Sequence, residues 1–355
     1  MKKVLFATTA LVATAGIASA DVALTGSAEM GVVGGSGSTI TQFHQDIDVT
    51  FTLSGETGNG ITFGAAVDLD EIAGGAGGAT NDDFGYSVFI SGDFGTLTLG
   101  DTDGGFDAGM LEVPAGPGSI DDAHTGHSGW NGFNQLDGVY DGQILSYAYS
   151  VSGFTVTASV EMDDDRERAA PVAPATSNAP FGELATQPAT DGLTGDAVYG
   201  IGAVYAGSFG GGSYNVGVGY QTVNDIDPLV AGAQGYTAMG ISGNVTLDNG
   251  LSVGATYATY EGFSAGNEGT HMGIGASYAF DDISVGVNYG VYDWETTALV
   301  ADTSGFGLSA AYDLGGGLSA RLGYGSSTVD AVNATAPAAT LGTTSTWSLG
   351  MAMSF

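Results

Sequence analysis

Trp347-Ser348-Leu349-Gly350-Met351-Ala352-Met353-Ser354-Phe355 alternates without a break. The odd positions are large and apolar, the even ones small or polar. A period of two is the mark of a β-strand with one greasy face. A soluble antiparallel strand resting on a core can read the same way. Repetition of the pattern, and the connections between its copies, therefore decide the fold.

Moving towards the N-terminus, the same alternation returns at Leu318 to Tyr324, Phe306 to Tyr312, Ile283 to Val291 and Ile61 to Leu69. Short turns fall near Gly55 to Gly60, Gly92 to Gly95, Ser152 to Gly153, Phe209 to Gly212, Asp248 to Gly250, Asp281 to Asp282 and Gly315 to Gly317. Between them lie longer polar, glycine-rich connections near 34–41, 73–81, 102–141, 164–195, 224–235, 263–269, 295–302 and 330–343. Short and long connections in strict alternation predict an all-β, antiparallel up-and-down barrel of about sixteen strands, fourteen and eighteen being the neighbouring even counts. Both termini then lie on the short-turn side. Apolar faces point to lipid and polar faces to a lumen.

Composition agrees. Lys2 and Lys3, an apolar run from Val4 to Ile17 and the small residues Ala18-Ser19-Ala20 read as a cleaved signal peptide over 1–20, leaving a barrel domain over 21–355. No later apolar run reaches the roughly 18 residues of a membrane-crossing helix. A chain that crosses a membrane without helices must close into a barrel, since closure pairs every backbone group. After residue 20 there are 39 acidic residues against Arg166, Arg168 and Arg321. Such a balance repels nucleic acid and draws in cations. With 43% hydrophobic residues the chain is too apolar to be disordered, and without cysteine it relies on no disulfide.

Three features occur together in a recognisable order: Asp21-Val22 after the signal, the turn and strand Asp93-Phe94-Gly95-Thr96-Leu97-Thr98-Leu99-Gly100 with a long connection behind it, and terminal Phe355. In these the chain resembles the general diffusion porins of Gram-negative bacteria, especially the alphaproteobacterial branch. The resemblance implies a homotrimer in the outer membrane, bathed in its lipids and lipopolysaccharide. It implies a third external loop folded into the lumen as a constriction, and a role for Phe355 as the signal read by the barrel assembly machinery. It implies passage of small hydrophilic solutes and ions, without catalysis or a required cofactor. One departure stands out. Relatives set basic wall residues opposite an acidic loop, but the position after Gly100 is Asp101 here, and only Arg321 is a lumen-facing strand cation by alternation.

The candidate channel lining is therefore acidic. Alternation puts Asp46, Asp48, Asp68, Asp70 and Glu161 on the lumen side, joined by Glu29 and His44. The third loop adds Asp103, Asp107, Glu112, Asp121, Asp122 and Asp137. Buried carboxylates without partners are costly, so this face must be wet. A cation-preferring pore follows. Asp101, Asp103 and Asp107 are spaced as a tentative calcium site, with Asp163-Asp164-Asp165 as a second acidic cluster. His124 and His127 lack the further ligand a zinc site needs. Gly200 and Gly202 lie within a strand, with no helix behind them to hold a phosphate. Gly26, Ala28, Ala65 and Ala66 mark the expected subunit contact. Two other readings compete with the channel: a barrel hydrolase using carboxylates at the barrel top, and a secreted soluble β-rich adhesin.

Overall fold

The computed structural model describes residues 21–36, 40–70, 85–120, 122–140, 142–162, 196–224, 235–262, 268–294, 302–330 and 342–355, with only the backbone at Asp70. The proposed signal, Asp121 and the Asp163-Asp165 cluster lie outside the described residues.

The strands are β1 (Asp21–Gly35), β2 (Gln42–Glu56), β3 (Thr62–Asp70), β4 (Tyr86–Gly92), β5 (Gly95–Gly100), β6 (Ile144–Val151), β7 (Phe154–Glu161) and β8 (Val198–Phe209). They continue with β9 (Gly212–Val223), β10 (Tyr236–Leu247), β11 (Leu251–Gly262), β12 (Glu268–Phe280), β13 (Ile283–Trp294), β14 (Asp302–Gly315), β15 (Leu318–Asp330) and β16 (Gly342–Ser354). A short helix, α1 (Gly105–Gly109), follows β5. Each strand pairs with its chain neighbours, and β1 pairs antiparallel with β16, closing a sixteen-stranded barrel. At the seam the Phe355 N–H donates to the Gly26 carbonyl at 2.9 Å.

Closure fixes which face is which. On β13, Ile283, Val285, Val287 and Tyr289 are exposed, whereas Asn288 between them is buried. Leu349, Leu322, Leu308, Ile274 and Ile241 continue this apolar outer surface around the barrel. A belt of that size has no place in water and fits hydrocarbon. All seven short turns stand where the sequence puts them. Ser152 (φ +50°) and Gly153 (φ +85°) both take the left-handed conformation that two-residue hairpins favour, because it matches the strand twist.

Candidate functional site: a channel narrowed by the third loop

The chain between β5 and β6 enters the barrel and makes two passes over the wall. On the deeper, outward pass, the Gly105 N–H donates to Ser159 Oγ of β7 at 2.7 Å, and the Leu111 N–H to Ser242 Oγ of β10 at 2.8 Å. Ser309 Oγ of β14 then donates to the Ala115 carbonyl at 2.6 Å. Arg321 Nη1 of β15 donates to the Ser119 carbonyl at 3.1 Å. On the return pass, Thr346 of β16 donates to the Gly126 carbonyl, Ser128 Oγ to the Ser304 carbonyl of β14, and His271 Nε2 of β12 to the Gly129 carbonyl. His127 bonds to Asn288, and Asn131 to the Tyr260 hydroxyl of β11. Tyr236 of β10 and Gln221 of β9 hold Gln135 and the Leu136 N–H.

This docking needs a wall without side chains. A Cβ at Gly202 would lie 2.0 Å from the Gly105 carbonyl, and one at Gly290 would lie 1.9 Å from that of Gly129. A Cβ at Gly217, Gly275, Gly286 or Gly325 would come within 1.9–2.4 Å of a loop carbonyl. Loop and wall also share an apolar core near the outer mouth: Phe106, Met110, Phe133 and Leu136 pack on Val198, Val223, Tyr236 and Tyr260. The sequence reading missed this track, although its signal was present as glycines on the polar faces of β8–β16. Gly200 and Gly202 form the bed of α1.

Two carboxylates pin the loop base. Glu161 is 2% exposed and accepts the N–H groups of Gly138, Tyr140 and Gly142. It faces inward, as alternation requires, but lies beneath the loop; it is an anchor, which corrects its placement on the channel wall. Asp137 accepts the Gly104 N–H at 2.7 Å and the Gln221 amide at 2.7 Å, joining both ends of the loop. Burial raises its carboxyl to about 6 against those two bonds, helped by the nearby charges of Asp103 and Glu161.

The loop hydrogen bonds go to β7 and β9–β16, and Ile144 and Ser146 of β6 are buried, so the acidic lumen face of β2 and β3 is free of these anchors. At the β1–β2 edge of that face the register sets acid opposite acid, Glu29 against Asp46. Ser27 donates to Asp48 at 2.6 Å and Thr50 to Asp68 at 2.9 Å. Like charges placed directly opposite cost stability, which a wet lumen relieves. On the loop, Glu112 and Asp122 are exposed, yet each carboxyl is partly desolvated by its surroundings. Burial, with Asp122 and Asp103 close by, raises the Glu112 carboxyl despite the opposing charge of His124. Burial, then Asp103, Asp137 and Glu112, lifts Asp107 to about 7. Burial also opposes the charges of Asp122 and His124, but their 2.8 Å pairing outweighs it, holding the carboxyl low and the imidazole high. His124 stacks on Trp130 at 4.3 Å between ring centroids.

The tentative calcium site does not form. The Asp101 carboxylate lies against Gly85, and no three metal-ligating side chains converge among the described residues. Arg321 is not an open counter-charge either: Nη1 lies 3.2 Å from Glu29 Oε1. Ala66 shares the lumen face of Asp68, so it leaves the proposed outward contact set.

A closed barrel with a greasy belt, a wet acidic wall and an inward-folded loop defines a membrane diffusion channel. The family model described as Gram-negative porin matches residues 7–332, and the chain belongs to that family. A porin of Rhodobacter capsulatus is 27% identical over 321 residues, covering 84% of this chain and 92% of its own. A solved porin structure superposes with a TM-score of 0.62 at 24% identity, covering 94% of this chain and all of that one. OmpT of Vibrio cholerae gives 0.61 at 12% identity, over 98% of this chain and all of its own. The chain is thus an outer-membrane porin of the alphaproteobacterial general type, a diffusion channel and not an enzyme. Neither the hydrolase nor the adhesin reading is favoured.

Proposed function

We propose that this porin conducts cations in preference to anions. The observation that carries the reading is the wall of β2 and β3, where Asp46, Asp48 and Asp68 share the lumen face, together with a loop bearing Asp103, Asp107, Glu112 and Asp122. Carboxylates in a narrow lumen focus the field and enrich counter-ions. Salt shortens the reach of that field to about 3 Å at 1 M, so preference weakens with ionic strength. Reversal potentials in a KCl gradient test it: K⁺ preference is expected, strongest in dilute salt, and reduced by Asp48→Asn and Asp122→Asn. Absence of preference, or preference for Cl⁻, overturns it.

The same reading includes a signal peptide removed before Asp21, where β1 begins. It includes a homotrimer meeting through the outward Gly26, Ala28 and Ala65, and contact with lipopolysaccharide at the outer leaflet. Phe355, 76% exposed at the seam, serves the barrel assembly machinery. Its deletion should abolish outer-membrane accumulation; normal levels of heat-modifiable barrel would count against that role.

A further inference from the structure

We infer that Arg321, together with Glu29, is a positioning clamp that holds the tip of the third loop and thereby sets which charges the channel presents. This rests on the loop lining the conducting path, and not on the sign of its selectivity.

Arg321 reaches across the wall from β15. The same nitrogen, Nη1, donates to Glu29 Oε1 of β1 at 3.2 Å and to the Ser119 carbonyl at 3.1 Å. The Glu29 side chain is only 14% exposed and that of Arg321 27%, so the pair is partly shielded from the screening that makes exposed ion pairs weak.

Ser119 is the hub of the tip. Its N–H donates to the carbonyls of Asp122 at 3.0 Å and His124 at 3.1 Å, and its hydroxyl donates to the His124 carbonyl at 3.1 Å. A movement of Ser119 therefore carries the Asp122–His124 pair with it. Beside the hub, Ile120 is fully buried. Its Cδ1 would lie 2.5 Å from a Cβ on Gly31 and 2.8 Å from one on Gly350. The tip thus has an apolar knob seated over β1 and β16 and a polar clamp from β15. The knob sets depth. The clamp fixes the turn that displays Asp122.

A charge count alone makes Arg321 the cation that dilutes an acidic lumen, and its loss should then raise cation preference. The geometry points the other way: loss of Arg321 frees the hub, and Asp122 leaves its fixed place.

The charge-neutral double variant Arg321→Gln/Glu29→Gln separates the two roles, because it leaves the net lumen charge unchanged. Single channels are recorded in 1 M KCl, where distant charges are screened, and reversal potentials in dilute KCl. The clamp predicts a several-fold rise in open-channel current noise with added conductance levels, and a reversal potential moved towards zero. Wild-type noise, one conductance level and an unmoved potential would overturn it. Heat-modifiable mobility establishes that the variant folds. Should it not fold, Glu29→Gln alone is read: raised noise in 1 M KCl supports the clamp, and wild-type noise overturns it. A lack of ion preference in the parent protein would refute the cation reading while leaving the noise comparison intact.

Discussion

The two halves of the lumen wall differ in what their inward positions carry. On β8–β16 these positions are mostly glycine, alanine and serine, with glycines such as Gly200, Gly202, Gly217, Gly219, Gly275, Gly305 and Gly307 close enough to the loop for a Cβ to collide. On β2–β5 they include Asp46, Asp48, Thr50, Thr52, Ser54, Asp68, Thr96 and Thr98, whereas Ser146 of β6 and Thr157 of β7 are buried. Outside, both halves look alike, with large apolar residues towards lipid. The difference therefore serves the interior. One half is a bed for backbone, the other a surface for water and ions. Glycine costs chain entropy in a strand, and here it permits backbone-to-sheet contact that no other residue allows.

The largest expected effect comes from a side chain placed in the bed. Gly290→Val would drive atoms into the Gly129 carbonyl, and overpacking of this kind costs about 1–3 kcal/mol or more. The yield of heat-modifiable barrel should fall sharply, and surviving channels should show several conductance levels. Thr52→Val on the open wall should leave both unchanged. Equal damage from the two would erase the distinction between the walls.

A smaller effect is expected at the loop base. Glu161→Gln replaces a carboxylate that accepts three N–H groups by an amide whose own N–H₂ faces donors, a loss of about 1–3 kcal/mol. The thermal midpoint should drop by several degrees with the reversal potential unmoved. Asp48→Asn should do the reverse, shifting the potential and sparing the midpoint. A shift in potential with Glu161→Gln would return that residue to the channel lining.

The smallest effect concerns pH. Asp107, lifted to about 7, is charged above that pH and neutral below it. His124, raised by its pairing with Asp122, gains charge as pH falls. Both changes act in one direction, so K⁺ preference should decline between about pH 8 and about pH 6, a range where ordinary carboxylates do not titrate. Asp107→Asn should flatten much of that decline. A preference constant across this range in the parent channel would place both groups away from the ion path.

How much was legible in the sequence depends on whether a feature is local. Alternation such as Trp347 to Phe355, and turn residues such as Ser152-Gly153, act within a few positions, so strand number, turn placement and the lipid-facing side follow from the chain itself. The acidic wall follows too, since a period of two assigns Asp46, Asp48 and Asp68 to one face. Spacing along a loop says nothing of which way the Asp101 carboxylate turns, and it turns to Gly85. Glu161 was assigned to the right face, but a face does not reveal what lies over it.

Closure and loop docking belong to the tertiary structure. Arg321 and Glu29 are 292 positions apart, and only the β1–β16 seam brings them within reach of each other and of Ser119. Periodicity orients a side chain relative to its own strand. Whether that side chain meets water, a backbone carbonyl or an opposite charge is decided by segments far along the chain, whose position depends on the closed barrel.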